Sequence, residues 1–171
     1  MKISVQKLSL MAMFTAVGTL ASHMFWIPAG VAKAFPVQHA INVIAGVSLG
    51  PLPAVIVAFS IGLLRNMFGV GSLLAFPGGM IGAFLAGYFY KKGKTYAVAA
   101  IGEWIGTGII GALVAMPVAA LFLGSEAGAF FFILPFLTSS VVGGLIGWMI
   151  LRVIKKSSAV KLNTDAREKS A

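Results

Sequence analysis

Six apolar stretches follow one another along this chain, and almost every charge is kept out of them. They cover about residues 8–27, 36–50, 52–68, 73–90, 95–123 and 129–154. A soluble domain needs far more polar surface than a chain 59% hydrophobic and 10% charged can supply, whereas a bundle of membrane helices does not. The expected fold is an all-α integral membrane protein, a six-transmembrane-helix bundle with both termini cytoplasmic. The stretch at 36–50 is short for a crossing, about 22 Å at about 1.5 Å per residue. Besides a full crossing, it is open to being tilted, shielded by its neighbours or partly re-entrant.

The placement of charge supports the even count. Of thirteen lysines and arginines, all but Lys33 and Arg65 lie at the two ends or within residues 91–94. The formal charge of +9 is therefore a topology signal and not a nucleic-acid surface. Six crossings put Lys2, Lys7, Lys91, Lys92, Lys94, Arg152, Lys155 and Lys156 on one face, the cytoplasmic one by the positive-inside rule; an odd count strands a basic cluster outside. The membrane domain is expected over 1–156, and 157–171 as a polar, disordered cytoplasmic tail. Lys2 and Lys7 before an apolar run mimic a signal peptide, but more apolar segments follow, so a retained first helix is expected. The chain has no cysteine, which removes disulfides, thiolate metal sites and cysteine catalysis together. Two histidines and one buried acid show no ligand spacing, so neither metal nor other cofactor is expected.

Polar residues inside such segments are costly and mark sites by default. In the run Phe35-Pro36-Val37-Gln38-His39-Ala40-Ile41-Asn42, a helix places Gln38 and Asn42 one turn apart and His39 beside them. Helix rise sets Asn42 about 9 Å from the outer face, Arg65 about 21 Å from the inner face, and Glu103 and Thr138-Ser139-Ser140 about 13 Å deep. The polar groups thus gather between the midplane and the outer surface, and a site open outward and sealed inward is expected. Glu103 is the acid within these segments, and two readings stand: a ligand acceptor with Arg65 as counter-charge, or an ion pair that fixes packing. Arg65 either caps the site together with Asn66 or snorkels to the headgroups. His23, near Trp26, reads as an interfacial residue.

Ala34-Phe35-Pro36 and Ala75-Phe76-Pro77 repeat one another, and each proline suits a helix start or break. If both mark outer-half helix ends, two positive dipoles point at one cavity; two ordinary proline kinks are the other reading. Phe76-Pro77-Gly78-Gly79 is also expected to break the fourth segment and free carbonyls for a ligand, and Pro117 to kink the fifth. Phe76 and Trp104 are candidate stacking surfaces, Trp26 either stacks or anchors, and Trp148 is an interfacial anchor. Ala12 and Ala16 form a small-residue face that either docks a partner or packs within the bundle.

These features resemble a substrate-capturing S component of the energy-coupling factor (ECF) vitamin transporters. The specific likeness lies in residues 35–42, in Leu64-Arg65-Asn66, and in Leu74-Ala75-Phe76-Pro77-Gly78-Gly79-Met80-Ile81-Gly82, which look like the thiazole-specific ThiW family. It extends from about Lys7 to Lys156. The resemblance implies capture of hydroxyethylthiazole, a thiamine precursor, from outside a prokaryotic cell membrane. It implies tilting in the bilayer, driven by a transmembrane coupling subunit and two ATPase subunits. Ala12 and Ala16 stand at the family's docking face, and residues 28–35 are expected to lid the pocket. The chain has no phosphate-binding Gly-x-x-x-x-Gly-Lys-Ser/Thr motif, so ATP hydrolysis is expected in the partner ATPase subunits, and the resemblance implies that this chain is not an enzyme. Expected ligand contacts are Gln38, His39, Asn42, Arg65, Asn66, Phe76, Glu103, Trp104, Thr138 and Ser139.

Three other readings remain open from sequence. Another vitamin or precursor, such as thiamine or hydroxymethylpyrimidine, is the nearest, although a cation should want more acid than Glu103. A membrane-embedded enzyme needs several acids or a basic cluster with histidine. An assembly factor without a ligand would use Gln38, Asn42, Arg65 and Glu103 as glue between helices.

Overall fold

A computed structural model describes residues 4–29, 32–124 and 129–168. Ser4 starts α1 (Val5–Met24), its hydroxyl accepting the Lys7 N–H at 3.3 Å. A short antiparallel hairpin comes next, β1 (Ile27–Ala29) and β2 (Ala32–Ala34), with Pro28 opposite Lys33. Then come α2 (Pro36–Leu49), α3 (Pro51–Met67) and α4 (Ala75–Gly93). The fifth rod is composite: α5 (Tyr96–Glu103), a π-helical segment (Trp104–Gly111) and α6 (Ala112–Leu123). The last, α7, spans Ala129–Glu168.

Prolines and one glycine set the boundaries. Pro36 and Pro51 open their helices, where a missing N–H costs nothing. Gly50, at φ 90°, turns the chain from α2 to α3 in a single residue, a conformation that L side chains avoid. Pro77 lies in the first turn of α4 and does not break it. The expected interruption of the fourth segment is therefore absent, because the helix begins just ahead of the proline.

Two further expectations change. The tail predicted as disordered is helical as far as Glu168, a continuation of α7. The loop at 28–35 carries the hairpin. The loop expected at 124–128 falls outside the described residues after Gly124, as does Lys2.

Among the described residues two helices, Tyr96–Phe122 and Phe131–Ser157, are long and apolar enough to cross a membrane, and Pro51–Met67 is a shorter apolar helix. The shortness of α2 has a structural answer. It lies at the centre, packed against α1, α3, α4, α5 and α7, and nearly all of its residues are buried. Its neighbours cover it on nearly every side, the polar Gln38, His39 and Asn42 included. Val43 and Ala45 of α2 join Val57, Ile61 and Ala83 in the main core. The outside of the bundle is also apolar: Leu20, Leu134 and Val153 are more than 60% exposed, an arrangement suited to lipid contact and not to water.

α1 buries Met11, Phe14, Gly18, Thr19 and Ser22. Ala12 and Ala16 face outward, alongside exposed Met13, Val17 and Leu20. Packing within the bundle is thereby ruled out for the two alanines.

Candidate functional site

The starts of α2, α4 and α7 and the end of α3 meet at one end of the bundle, beside the hairpin. Pro36 brings α2 into register so that Gln38, His39 and Asn42 all point inward, each at most 8% exposed. Arg65, in the last turn of α3, also turns inward and is 3% exposed. Its Nη1 donates to Gln38 Oε1 and its Nη2 to the Val70 carbonyl at 3.3 Å. The guanidinium lies over the Phe35 ring, 3.7 Å from its centroid. The snorkelling reading fails, because burial and these partners hold the charge inside.

Beneath this layer sits Glu103, fully buried on α5. Its Oε1 takes His39 Nδ1 at 2.7 Å, Asn42 Nδ2 at 3.2 Å and Thr107 Oγ1 at 2.8 Å. Asn42 Nδ2 also lies 3.1 Å from the Gly79 carbonyl, and Thr107 Oγ1 2.9 Å from that of Gly78. The expected pairing of Glu103 with Arg65 is not made; His39 is its partner. The reason is geometric, since Arg65 is already held by Gln38 and Val70 one layer nearer the opening. Helix α4 allows this closeness by lacking side chains. A Cβ at Gly79 would come 2.8 Å from Gln38 Nε2, and one at Gly82 would come 2.5 Å from Glu103 Oε2.

Above the network lies a cavity of about 320 Å³. Its polar lining is Gln38, His39, Arg65, Thr107 and Ser139, and its aromatic lining Phe35, Phe131, Phe132 and Phe136. The two interleave, since Arg65 lies over Phe35 and Ser139 follows Phe136 by one turn of α7. Ser139 Oγ accepts the Phe35 N–H at 2.8 Å, which ties the exit of the hairpin to α7. Lys33 of the hairpin borders the cavity. Such a chamber is at the small end of ligand pockets, which run from about 300 to 1,000 Å³. It can hold a compact ring against aromatic side chains and address a few of its polar atoms.

The family described as thiamine-precursor transporter protein (ThiW) matches residues 8–157. The chain belongs to the ThiW family. ThiW is a transporter family and not an enzyme family. A solved structure, described as the S component of a bacterial ECF transporter, has a similar fold. The TM-score is 0.62 and the identity 17%, with 92% of this chain and 97% of that chain covered. No curated protein matches the chain.

In this ThiW-family chain, Gln38, His39, Arg65 and Ser139 line the cavity, whereas Asn42 and Glu103 support it from behind. Four expected contacts lie elsewhere. Asn66 is used in closing the α3–α4 turn, its Nδ2 donating to Gly62 at 2.8 Å and Ser72 at 3.2 Å. Phe76 turns toward α3, 5.5 Å from the Phe59 ring and against Gly62. Trp104 packs its indole on Gly144 of α7. Thr138 donates back to the Leu134 carbonyl of its own helix at 2.8 Å. Thr107 and the phenylalanines of α7 were missed. Thr107 had a signal, one turn after Glu103.

Proposed function

We propose that this chain is the S component of an ECF-type transporter and that its cavity captures hydroxyethylthiazole from outside the cell. The observation that carries the reading is the cavity's mixed lining, four phenylalanines together with the polar side chains of Gln38, His39, Arg65, Thr107 and Ser139, in a ThiW-family chain. The thiazole ring lies against the phenylalanines, where its sulfur and π face find favourable contacts. Gln38, whose Oε1 is engaged by Arg65, offers its amide hydrogens to the ring nitrogen. His39 donates Nδ1–H to Glu103, and in the neutral ring Nε2 then accepts the ligand hydroxyl. Glu103 thus acts on the ligand through His39. Among the described residues, Lys33 and Arg65 border the cavity and no carboxylate does, which disfavours the cationic vitamin itself.

Six crossings with both termini cytoplasmic, in a prokaryotic plasma membrane, complete the reading. The cavity then opens outward, with the hairpin as its lid. The exposed Ala12–Ala16 face of α1 docks a transmembrane coupling subunit, and two ATPase subunits supply the energy. Binding of radiolabelled thiazole alcohol to the purified, folded protein tests the proposal. Saturable binding of the unchanged ligand supports it, and its absence overturns it.

A further inference from the structure

A second cavity, of about 620 Å³, lies at the other end of the bundle, where α4 ends, α5 begins and α7 passes. Lys94, Arg152, Lys155 and Lys156 line it, and among the described residues no carboxylate does. All four are exposed, and two lie by aromatic rings of the same cavity. Arg152 Cζ stands 4.5 Å from the centroid of Trp148, and Lys155 Nζ stands 5.9 Å from that of Tyr96. The cavity shares no residue with the site described above.

We propose that this cavity holds the phosphate headgroup of an anionic phospholipid from the leaflet at this end of the bundle. Four cations without a lining acid call for an anion. Tyr96 and Trp148 are residues of the membrane interface, apolar in body and polar at one edge. Leu145, Met149, Ile150 and Val153 are at least 40% exposed on α7, toward and beside the cavity, and give the acyl chains an apolar track. A soluble anion would have no use for that track. The inference rests on the membrane embedding proposed above but not on the thiazole assignment. Lipid held here would fix the joint between α4 and α5 to α7 on the side opposite the outward cavity.

The test uses the full-length protein in detergent, titrated with dioleoylphosphatidylglycerol or dioleoylphosphatidylcholine and read by native mass spectrometry. Thiazole binding is measured on the same samples, so failure of either reading shows separately. Phosphatidylglycerol should be retained up to about 600-fold better than phosphatidylcholine, since each of the four basic residues contributes about fivefold. The pair Arg152→Gln and Lys155→Gln should cut that preference by about 25-fold, as should Lys94→Gln with Lys156→Gln. Lys33→Gln, at the other end, should leave it intact. Equal retention of the two lipids overturns the proposal, as does unchanged preference in both double variants. Displacement of the lipid by millimolar inorganic phosphate would assign the cavity to a free anion instead. Double variants that keep the lipid preference but lose energised uptake would assign it to an acidic partner protein.

Discussion

His39 Nδ1 lies 2.7 Å from Glu103 Oε1, and this contact joins a residue on the cavity wall to one wholly behind it. The same oxygen also takes Asn42 and Thr107, so α2, α5 and the π-helical segment converge on one atom. A buried carboxylate with these donors is a fixed acceptor, and it sets which ring nitrogen of His39 is left for a ligand. The chemistry of the wall is thus decided one layer below it.

Replacing Glu103 with Gln keeps the volume and one acceptor oxygen but removes the charge on which three donors converge. Hydrogen bonds to charged groups contribute about 1.5–3 kcal/mol, so thiazole affinity should fall about tenfold to a hundredfold. Glu103→Ala should in addition lower the melting temperature, because three donors lose a shared acceptor. Calorimetric titration beside thermal unfolding separates the two. Unchanged affinity in Glu103→Gln would remove His39 from the proposed contact.

Arg65→Lys keeps the charge and loses the fork. The guanidinium holds Gln38 and the Val70 carbonyl while sitting over Phe35, and an ammonium cannot do all three. Affinity should drop at least tenfold in both Arg65→Lys and Arg65→Ala, with little difference between them. Full retention by the lysine variant would mean that charge alone matters at this position.

The parts legible in the sequence were those in which polarity is out of place. Gln38, His39, Arg65 and Ser139 stood out because an apolar segment has no other use for them, and all four reach the cavity. The start of α2 at Pro36 was readable from the proline itself, which suits a first helical turn, whereas Pro51, read as part of a turn, opens α3. Aromatic residues gave no such contrast. Phe76 and Phe136 are both phenylalanines in apolar helices, and the rotation of each helix, which composition leaves undetermined, sends Phe76 to α3 and Phe136 to the cavity. The π-helical segment carried no readable signal, since Trp104–Gly111 resembles any glycine-bearing membrane helix. It nonetheless starts directly after Glu103, the acid at the heart of the network, a setting typical of such segments.

The contrast between those two rings is testable. Phe136→Ala removes part of the aromatic lining and should weaken thiazole binding by about 0.5–1.5 kcal/mol. Phe76→Ala removes a half-buried ring beside Phe59 and Gly62 and should lower stability by less than the ~3–5 kcal/mol of a fully buried phenylalanine. Affinity per folded molecule should be kept. Titration with thermal unfolding on each variant reads both quantities, and a reversed pattern would misplace the cavity.

Gly82 offers a probe of the buried layer that alters no polar group. Its Cβ would press on Glu103 and Thr107, at the backbone crossing of α4 and the π-helical segment, where Gly106 approaches just as closely. Gly82→Ala is expected to destabilise by about 1–3 kcal/mol, as overpacking does. Weaker ligand binding should accompany the loss, because the displaced carboxylate carries His39 with it. Gly69→Ala is a poor control despite its open surroundings, since its φ of 73° suits glycine. Leu121→Ala, on the exposed apolar surface, should change neither quantity.

Ala12 and Ala16 separate capture from transport. Both face away from the bundle, so a bulky residue there meets no internal neighbour, and Ala12→Trp with Ala16→Trp should leave fold and thiazole affinity unchanged. A close approach of helices between subunits tolerates no such bulk. Uptake of labelled thiazole by cells carrying the coupling module should therefore fall to background while purified protein still binds. The small-residue face would then act after capture. Normal uptake by the double variant would move the docking surface off α1, and lost binding would show that this face supports the cavity through the bundle instead.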